Sequence, residues 1–197
     1  WVVLHGITRP GRRHEELVRF VRSLAASRAA VVVPEVPEWV ELDLAPGVTA
    51  PTIRAGVEGL RLTGFLEEGA RVGVVGFSFG APQGIVAATR SELAGEVASV
   101  VGFGGYCDLE RTVRFQLTGR HEWRGEEYRA SPDPYGRWII AANFLTRVPG
   151  HGDAGDVATA LRTLAKDAGD RRTPAWDPVY EPVKAELRET VAPERRE

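Results

Sequence analysis

Val72-Gly73-Val74-Val75-Gly76-Phe77-Ser78-Phe79-Gly80 is the stretch of this 197-residue chain that decides its fold class. The valine-rich first half predicts a β-strand, and residues 81–90 predict a helix with Ile85 and Val86 on its inner side. A Gly-x-Ser-x-Gly turn joins the strand to the helix. A strand that runs directly into a helix is typical of α/β proteins.

The same alternation of strand and helix patterns extends outward over the first hundred residues. Each predicted strand is apolar with little polar alternation, which is typical of a parallel sheet covered by helices on both faces. Besides residues 72–75, the strand patterns lie at 1–4, 29–33 and 97–103, and the helix patterns at 17–24, 49–60 and 81–90. This order predicts an α/β domain.

The character of the sequence changes after about residue 118. Residues 119–137 show no strand pattern, and helical periodicity follows at 138–145, 157–164 and 179–187. The sequence therefore predicts two parts, a sheet domain at residues 1–118 and a helical segment at residues 119–197.

Charge and composition exclude several classes of protein. With 25 Lys and Arg against 27 Asp and Glu, the net charge of -2 lacks the basic footprint of a nucleic-acid-binding protein. No apolar run reaches the roughly 18–20 residues of a membrane span, and a single cysteine excludes an internal disulfide. No signal-peptide pattern is visible, so we expect a cytoplasmic protein. The chain has no methionine and begins inside a predicted strand, which indicates a piece of a longer or processed chain.

The Gly76-x-Ser78-x-Gly80 turn is the motif that predicts chemistry. A serine on such a tight turn has strained backbone angles, and a side chain at either glycine would collide with the neighbouring strand or helix. The turn lifts the Ser78 hydroxyl above the carboxyl edge of the sheet, beside the free N–H groups of the next helix. The Phe79 N–H can then meet a developing oxyanion. The alternative is a glycine-rich turn without a catalytic role.

A second motif, His5-Gly6, ends the predicted strand at residues 1–4 and precedes the serine turn by one strand–helix unit and one further strand. In this order and spacing, the two motifs resemble those of the α/β-hydrolase superfamily, which includes esterases, dienelactone hydrolases and prolyl oligopeptidases. The resemblance covers residues 1–118. It implies a three-layer α/β-hydrolase sandwich with a mostly parallel sheet, truncated at both ends, and a helical cap at residues 119–197.

The resemblance also implies roles for individual residues. Ser78 is expected to be the nucleophile, and the backbone N–H groups of Phe79 and of Ile7 or Gly6 are expected to form the oxyanion hole. His5 is expected to pack and to hydrogen-bond so that it holds its loop, with general-base catalysis as the less favoured alternative. No cofactor is expected.

A serine nucleophile needs a histidine to remove its proton and a carboxylate to orient that histidine. In the α/β-hydrolase superfamily, which this chain resembles, the carboxylate and the histidine follow the serine on later strands. No strand pattern exists here beyond Phe103, so we expect both groups beyond Glu197.

Three residues within the chain are candidates for these roles. Asp108 is a candidate acid, with capping of a helix at residues 109–117 as the alternative. His121 and His151 are the only histidines after the serine, and both are interpreted as surface or cap residues.

Other chemistries receive less support from the sequence. His151, Asp153 and Asp156 have neither the spacing nor the ligand set that identifies a metal site, so no metal is expected. Cys107 lacks a nucleophile turn and is expected to be a buried packing residue. No Gly-x-x-x-x-Gly-Lys-Ser/Thr phosphate loop occurs. Four aromatic residues either line an apolar acyl pocket or join the cap to the sheet domain: Trp123, Tyr128, Tyr135 and Trp138.

The sequence therefore favours a serine hydrolase that cleaves an ester or related acyl bond of a small molecule through Ser78. Peptidase, thioesterase and lactonase activities remain open, as does the oligomeric state. The alternative is a non-catalytic, hydrolase-like protein that binds a small apolar ligand under the cap. A histidine within hydrogen-bond reach of the Ser78 hydroxyl distinguishes the two.

Overall fold

The computed structural model describes residues 1–196 and has a mixed α/β fold. The strands are β1 (Val2–Leu4), β2 (Val72–Phe77), β3 (Val97–Phe103), β4 (Arg120–Trp123) and β5 (Glu126–Arg129). The helices are α1 (Glu15–Ala26), α2 (Pro37–Val40), α3 (Thr49–Leu62), α4 (Gly80–Ala88), α5 (Leu109–Thr118), α6 (Pro134–Phe144), α7 (Gly155–Arg171) and α8 (Glu181–Glu189). Short 3₁₀ turns lie at Gly11–Arg13, Pro46–Val48, Ser91–Leu93, Leu145–Arg147, Pro178–Tyr180 and Pro193–Arg195.

The chain forms two compact units. The sheet unit comprises residues 1–41 and 45–107, and the helical unit comprises residues 42–44 together with the chain from residue 108 onward. Helix α5, which the sequence assigned to the sheet domain, belongs to the helical unit.

A three-stranded parallel sheet in the order β1-β2-β3 forms the centre of the sheet unit. On one face, Val3 and Val75 pack with Leu17 of α1. On the other face, strand residues such as Val2 pack with Ile53 of α3. Helices on both sides of a parallel sheet confirm the predicted α/β class.

Two details of the predicted sheet are wrong. The segment at residues 29–33 is not a full strand, because Val32 makes only an isolated parallel bridge to Val2. Strand β3 is not buried on both faces; Phe103 is 45% exposed, since β3 pairs with β2 alone among the described strands. Its outer edge therefore remains open in residues 1–196.

The inner face of α4 also differs from the prediction. Ile85 and Val86 are 52% and 51% exposed, whereas the helix buries its small residues and Gln83. A Cβ at Gly84 would lie 3.3 Å from Leu4 Cδ1. The helix therefore lies too close to the sheet for large side chains to fit between them.

The helical unit contains a strand pair that the sequence did not predict. Strands β4 and β5 form an antiparallel hairpin at residues 120–129, inside the segment predicted to lack strands. Arg124 and Gly125 connect them with φ angles of 53° and 83°. Positive φ at both positions is typical of the tight turn that suits the twist of a two-residue hairpin.

Helices α6 and α7 form most of the rest of the helical unit. Trp138 of α6 is buried against the Tyr180 ring, with the ring centroids 6.1 Å apart. Asn143 fastens residues 42–44 to α6, because its amide donates to Leu42 O at 2.9 Å and accepts from Leu44 N–H at 3.1 Å. Within residues 1–196, no helix combines the length and apolar character needed to cross a bilayer.

Candidate active site

Ser78 lies at the end of β2, the central strand of the sheet. Its φ angle is 49°, in the left-handed region that residues other than glycine rarely adopt. The Ser78 N–H donates to the Phe103 carbonyl oxygen at 2.8 Å, which ties the turn to β3. The residue is exposed. The turn therefore holds a strained serine in place and presents it to solvent.

The glycines on either side of Ser78 allow close backbone contacts. A Cβ at Gly76 would lie 2.3 Å from Gly80 O and 2.6 Å from Ala81 Cα. A Cβ at Gly80 would lie 2.6 Å from His5 O, so α4 begins directly against the end of β1. The predicted steric need for glycine at both positions is confirmed.

The His5-Gly6 motif lies next to the serine turn. A Cβ at Gly6 would lie 3.1 Å from Ser78 Cβ and 3.7 Å from Ser78 Oγ. Among residues 1–196, the backbone N–H groups of Ile7 and Phe79 donate no hydrogen bond to another group. Helix α4 also begins here, and the N-terminus of a helix favours negative charge. The arrangement offers backbone donors on two sides of the serine.

His5 has a structural role in this site. The ring is 1% exposed; Nδ1 donates to Gly6 O at 2.7 Å, and Nε2 accepts from Val36 N–H at 3.0 Å. Burial lowers the pKa of His5 below its ordinary value of 6.5, so the ring is neutral at pH 7. Because both nitrogens have backbone partners, His5 is not placed to remove a proton from Ser78.

Aromatic side chains pack around Phe79, the residue that follows the serine. The Phe79 ring centroid is 5.3 Å from that of Trp39 and 6.5 Å from that of Tyr106. The Tyr106 hydroxyl accepts a hydrogen bond from Gln83 Nε2 at 3.1 Å. No local motif marks Trp39, Gln83 and Tyr106, which only the fold brings together, so the sequence does not predict them.

The candidates for acid and base belong to the helical unit. Asp108 accepts from Arg111 N–H at 3.0 Å and so caps α5. The His121 ring packs between Phe115 and Tyr128, and His151 lies exposed in a loop. Within the described sheet unit, no histidine or carboxylate hydrogen-bonds to the hydroxyl of the serine.

Two of the three residues considered for a metal site, Asp153 and Asp156, belong to an ion-pair network. Arg195 contacts Asp153 and Asp156, each at 3.1 Å, and Asp156 also accepts from Ala192 N–H at 2.7 Å. These hydrogen bonds, that of Arg195 foremost, lower the pKa of Asp156 to about 2. Residues 1–196 contain no group of three side chains suited to hold a metal ion. Cys107 is exposed, so the prediction that it is buried is wrong.

The four aromatic residues at positions 123, 128, 135 and 138 lie partly on the hairpin and partly on a helix. Trp123 and Tyr128 lie exposed on the hairpin, whereas Tyr135 and Trp138 belong to α6. Trp138 packs on Tyr180, within the helical unit. The structure therefore does not gather all four into one cluster.

Comparison with known proteins adds no family to this description. No protein-family model, no curated protein and no solved structure matches the chain.

Proposed function

We propose that this protein is a serine hydrolase of the α/β-hydrolase type, with Ser78 as the nucleophile that cleaves an ester or related acyl bond. The observation that carries the proposal is the positive φ of Ser78, between two glycines that leave no room for a Cβ. Backbone strain of this kind costs about 1–3 kcal/mol and concentrates at functional sites. At Ser78 this strain coincides with an exposed nucleophilic hydroxyl at the start of a helix.

In the proposed reaction, Ser78 Oγ attacks the carbonyl carbon of a small-molecule acyl substrate as its proton passes to a base. The Phe79 N–H and the N–H of Ile7 or Gly6 donate to the oxygen on which negative charge develops. The alcohol leaves with a proton from the base, and the acyl group remains on the serine. Water then hydrolyses this acyl-enzyme, with no need for a cofactor.

The base and its carboxylate are the remaining part of the proposal. His5 is excluded as the base because both ring nitrogens are engaged by backbone groups. The proposal therefore takes the histidine and the carboxylate from outside the sheet unit, with Asp108 as one candidate for the carboxylate. A cytoplasmic location is part of the same proposal.

Ester hydrolysis by the protein from its complete reading frame tests this function. With p-nitrophenyl butyrate, we expect Ser78→Ala to lower kcat by about 10³-fold or more, as for other serine nucleophiles. The matched control is Ser23→Ala on α1, an exposed serine whose hydroxyl donates to the Arg19 carbonyl oxygen. Unchanged hydrolysis by a folded Ser78→Ala protein would refute the assignment of the nucleophile.

Because both ring nitrogens of His5 are hydrogen-bonded to backbone groups, this histidine does not serve as a base. This observation favours a second candidate, a non-catalytic protein that binds a small apolar ligand. This candidate predicts that an apolar fluorescent probe binds equally to the wild-type protein and to Ser78→Ala. It also predicts no hydrolysis of p-nitrophenyl butyrate by either protein. Hydrolysis that depends on Ser78 rejects it.

A further inference from the structure

A groove of about 610 Å³ lies between α5 and β4, in the helical unit. Helix α5 turns into β4 through Gly119, whose φ is 69° and whose Cβ would lie 2.5 Å from Ala130 O. The tight turn brings one face of the helix beside the strand. The groove is lined by Glu110, Arg111, Arg114, Arg120, His121, Glu122, Trp123, Arg124 and Gly125.

Positive charge dominates this lining, with four arginines against two glutamates. Arg114 is neutralised by Glu110, 3.2 Å away on the same helix. Within residues 1–196, Arg111, Arg120 and Arg124 have no carboxylate within ion-pair distance. Three arginines of the lining therefore have no acidic partner.

The partners that these arginines do have carry no negative charge. Arg111 donates to the carbonyl oxygen of Glu122, and the Arg124 guanidinium lies 5.6 Å from the centroid of the Trp123 ring. The Arg120 side chain makes no hydrogen bond within residues 1–196.

The acidic residues of the neighbouring strand β5 are engaged elsewhere. Glu126 accepts from the Tyr128 hydroxyl at 2.9 Å, and Glu127 pairs with Arg129 at 3.1 Å. Their contacts lie within β5 itself. The carboxylate of Glu122 is the remaining negative group of the lining, so the three arginines exceed it in charge.

We propose that this groove binds a phosphate-bearing small molecule through Arg111, Arg120 and Arg124. A guanidinium is always charged and presents planar N–H donors that match phosphate oxygens. A single carboxylate satisfies one such group, whereas a multiply charged phosphate accepts from several. Trp123, which is exposed, also lines the groove. This binding site is independent of the chemistry proposed for Ser78.

Titration with inorganic pyrophosphate at constant ionic strength tests the proposal, using isothermal calorimetry on the protein from the complete reading frame. We expect saturable binding with one site per chain. Arg120→Gln and Arg124→Gln should each weaken binding by about tenfold or more, because each loses charge-assisted hydrogen bonds. Arg22→Gln on α1 is the matched control, since it removes the same charge from an exposed position outside the groove. Absence of saturable binding, or equal weakening in the control, would overturn the proposal.

Tryptophan fluorescence locates the bound anion. Pyrophosphate should change the emission of the wild-type protein, and Trp123→Phe should lose this change while calorimetric binding persists. All the substituted positions are exposed, so folding is expected to be retained, and far-UV circular dichroism checks it. A fluorescence change that survives Trp123→Phe would place the anion elsewhere and reject the groove.

Discussion

Replacing Gly76 by alanine tests whether the serine turn depends on close backbone contact. The added Cβ would lie 2.3 Å from Gly80 O and 2.6 Å from Ala81 Cα, whereas ordinary contacts begin at 3.4 Å. Both neighbours are backbone atoms, so relief requires β2 and the start of α4 to move apart by about 1 Å. Overpacking of this kind costs about 1–3 kcal/mol and occasionally more.

Gly59→Ala on α3 is the matched control for this substitution. A Cβ at Gly59 meets nothing within 4 Å, and the residue lies inside a helix. Alanine there should stabilise the protein by about 0.5–1 kcal/mol, since glycine loses more conformational freedom on folding. The free energies of unfolding of the two variants should therefore differ by roughly 1.5–4 kcal/mol.

Urea unfolding followed by tryptophan fluorescence measures both free energies of unfolding. Gly76→Ala should unfold at a lower urea concentration than the wild-type protein, and Gly59→Ala at a slightly higher one. If Gly76→Ala is as stable as Gly59→Ala, Gly76 of β2 is not in close contact with the start of α4. The serine-turn geometry on which the proposed function rests would then be refuted.

Three further predictions concern strain and pH. Ser78→Gly should be more stable than Ser78→Ala by about 0.5–1 kcal/mol, because glycine adopts positive φ without the strain that alanine retains; urea unfolding that orders them the other way contradicts the strain. Burial lowers the pKa of His5 below 6.5, so the unfolded chain takes up its proton first. The stability that neutral His5 contributes should be present above about pH 6.5 and should decrease as the pH falls below that value. His14→Gln, which changes an exposed histidine, should leave this pH dependence intact. A wild-type protein whose stability lacks this pH dependence would contradict the burial of His5. The pKa of Asp156 is lowered from 3.8 to about 2, so stability from its contact with Arg195 is present above pH 3.8 and lost towards pH 2. Asp156→Asn should weaken the dependence of thermal stability on pH over this range. An unchanged pH dependence would argue against the contact between Asp156 and Arg195.

The serine turn could be predicted because its causes are local. The positions of Gly76 and Gly80 relative to Ser78 follow from the sterics of a strand that turns directly into a helix. The same holds for the alternation of apolar segments, which predicts the α/β class. The Val36 partner of His5 has no local cause, since it lies 31 residues away along the chain.

The hairpin and the face of α4 show where periodicity misleads. Residues 120–129 pair charged and aromatic residues that are all exposed, so no apolar alternation marks β4 and β5. Helix α4 carries Ile85 and Val86 outward because a closely packed helix buries glycine and alanine instead. In α4 tertiary contacts outweigh the pattern of apolar residues, whereas in the hairpin there is no such pattern to read.

Covalent labelling with a fluorophosphonate probe tests most directly whether Ser78 is an activated nucleophile. The probe is applied to the folded protein from the complete reading frame, and the adduct is located by mass spectrometry of its peptides. The proposed function predicts one adduct per chain, on Ser78, and its loss in Ser78→Ala but not in Ser23→Ala. A folded protein that remains unlabelled, or that carries the adduct on another serine, contradicts it.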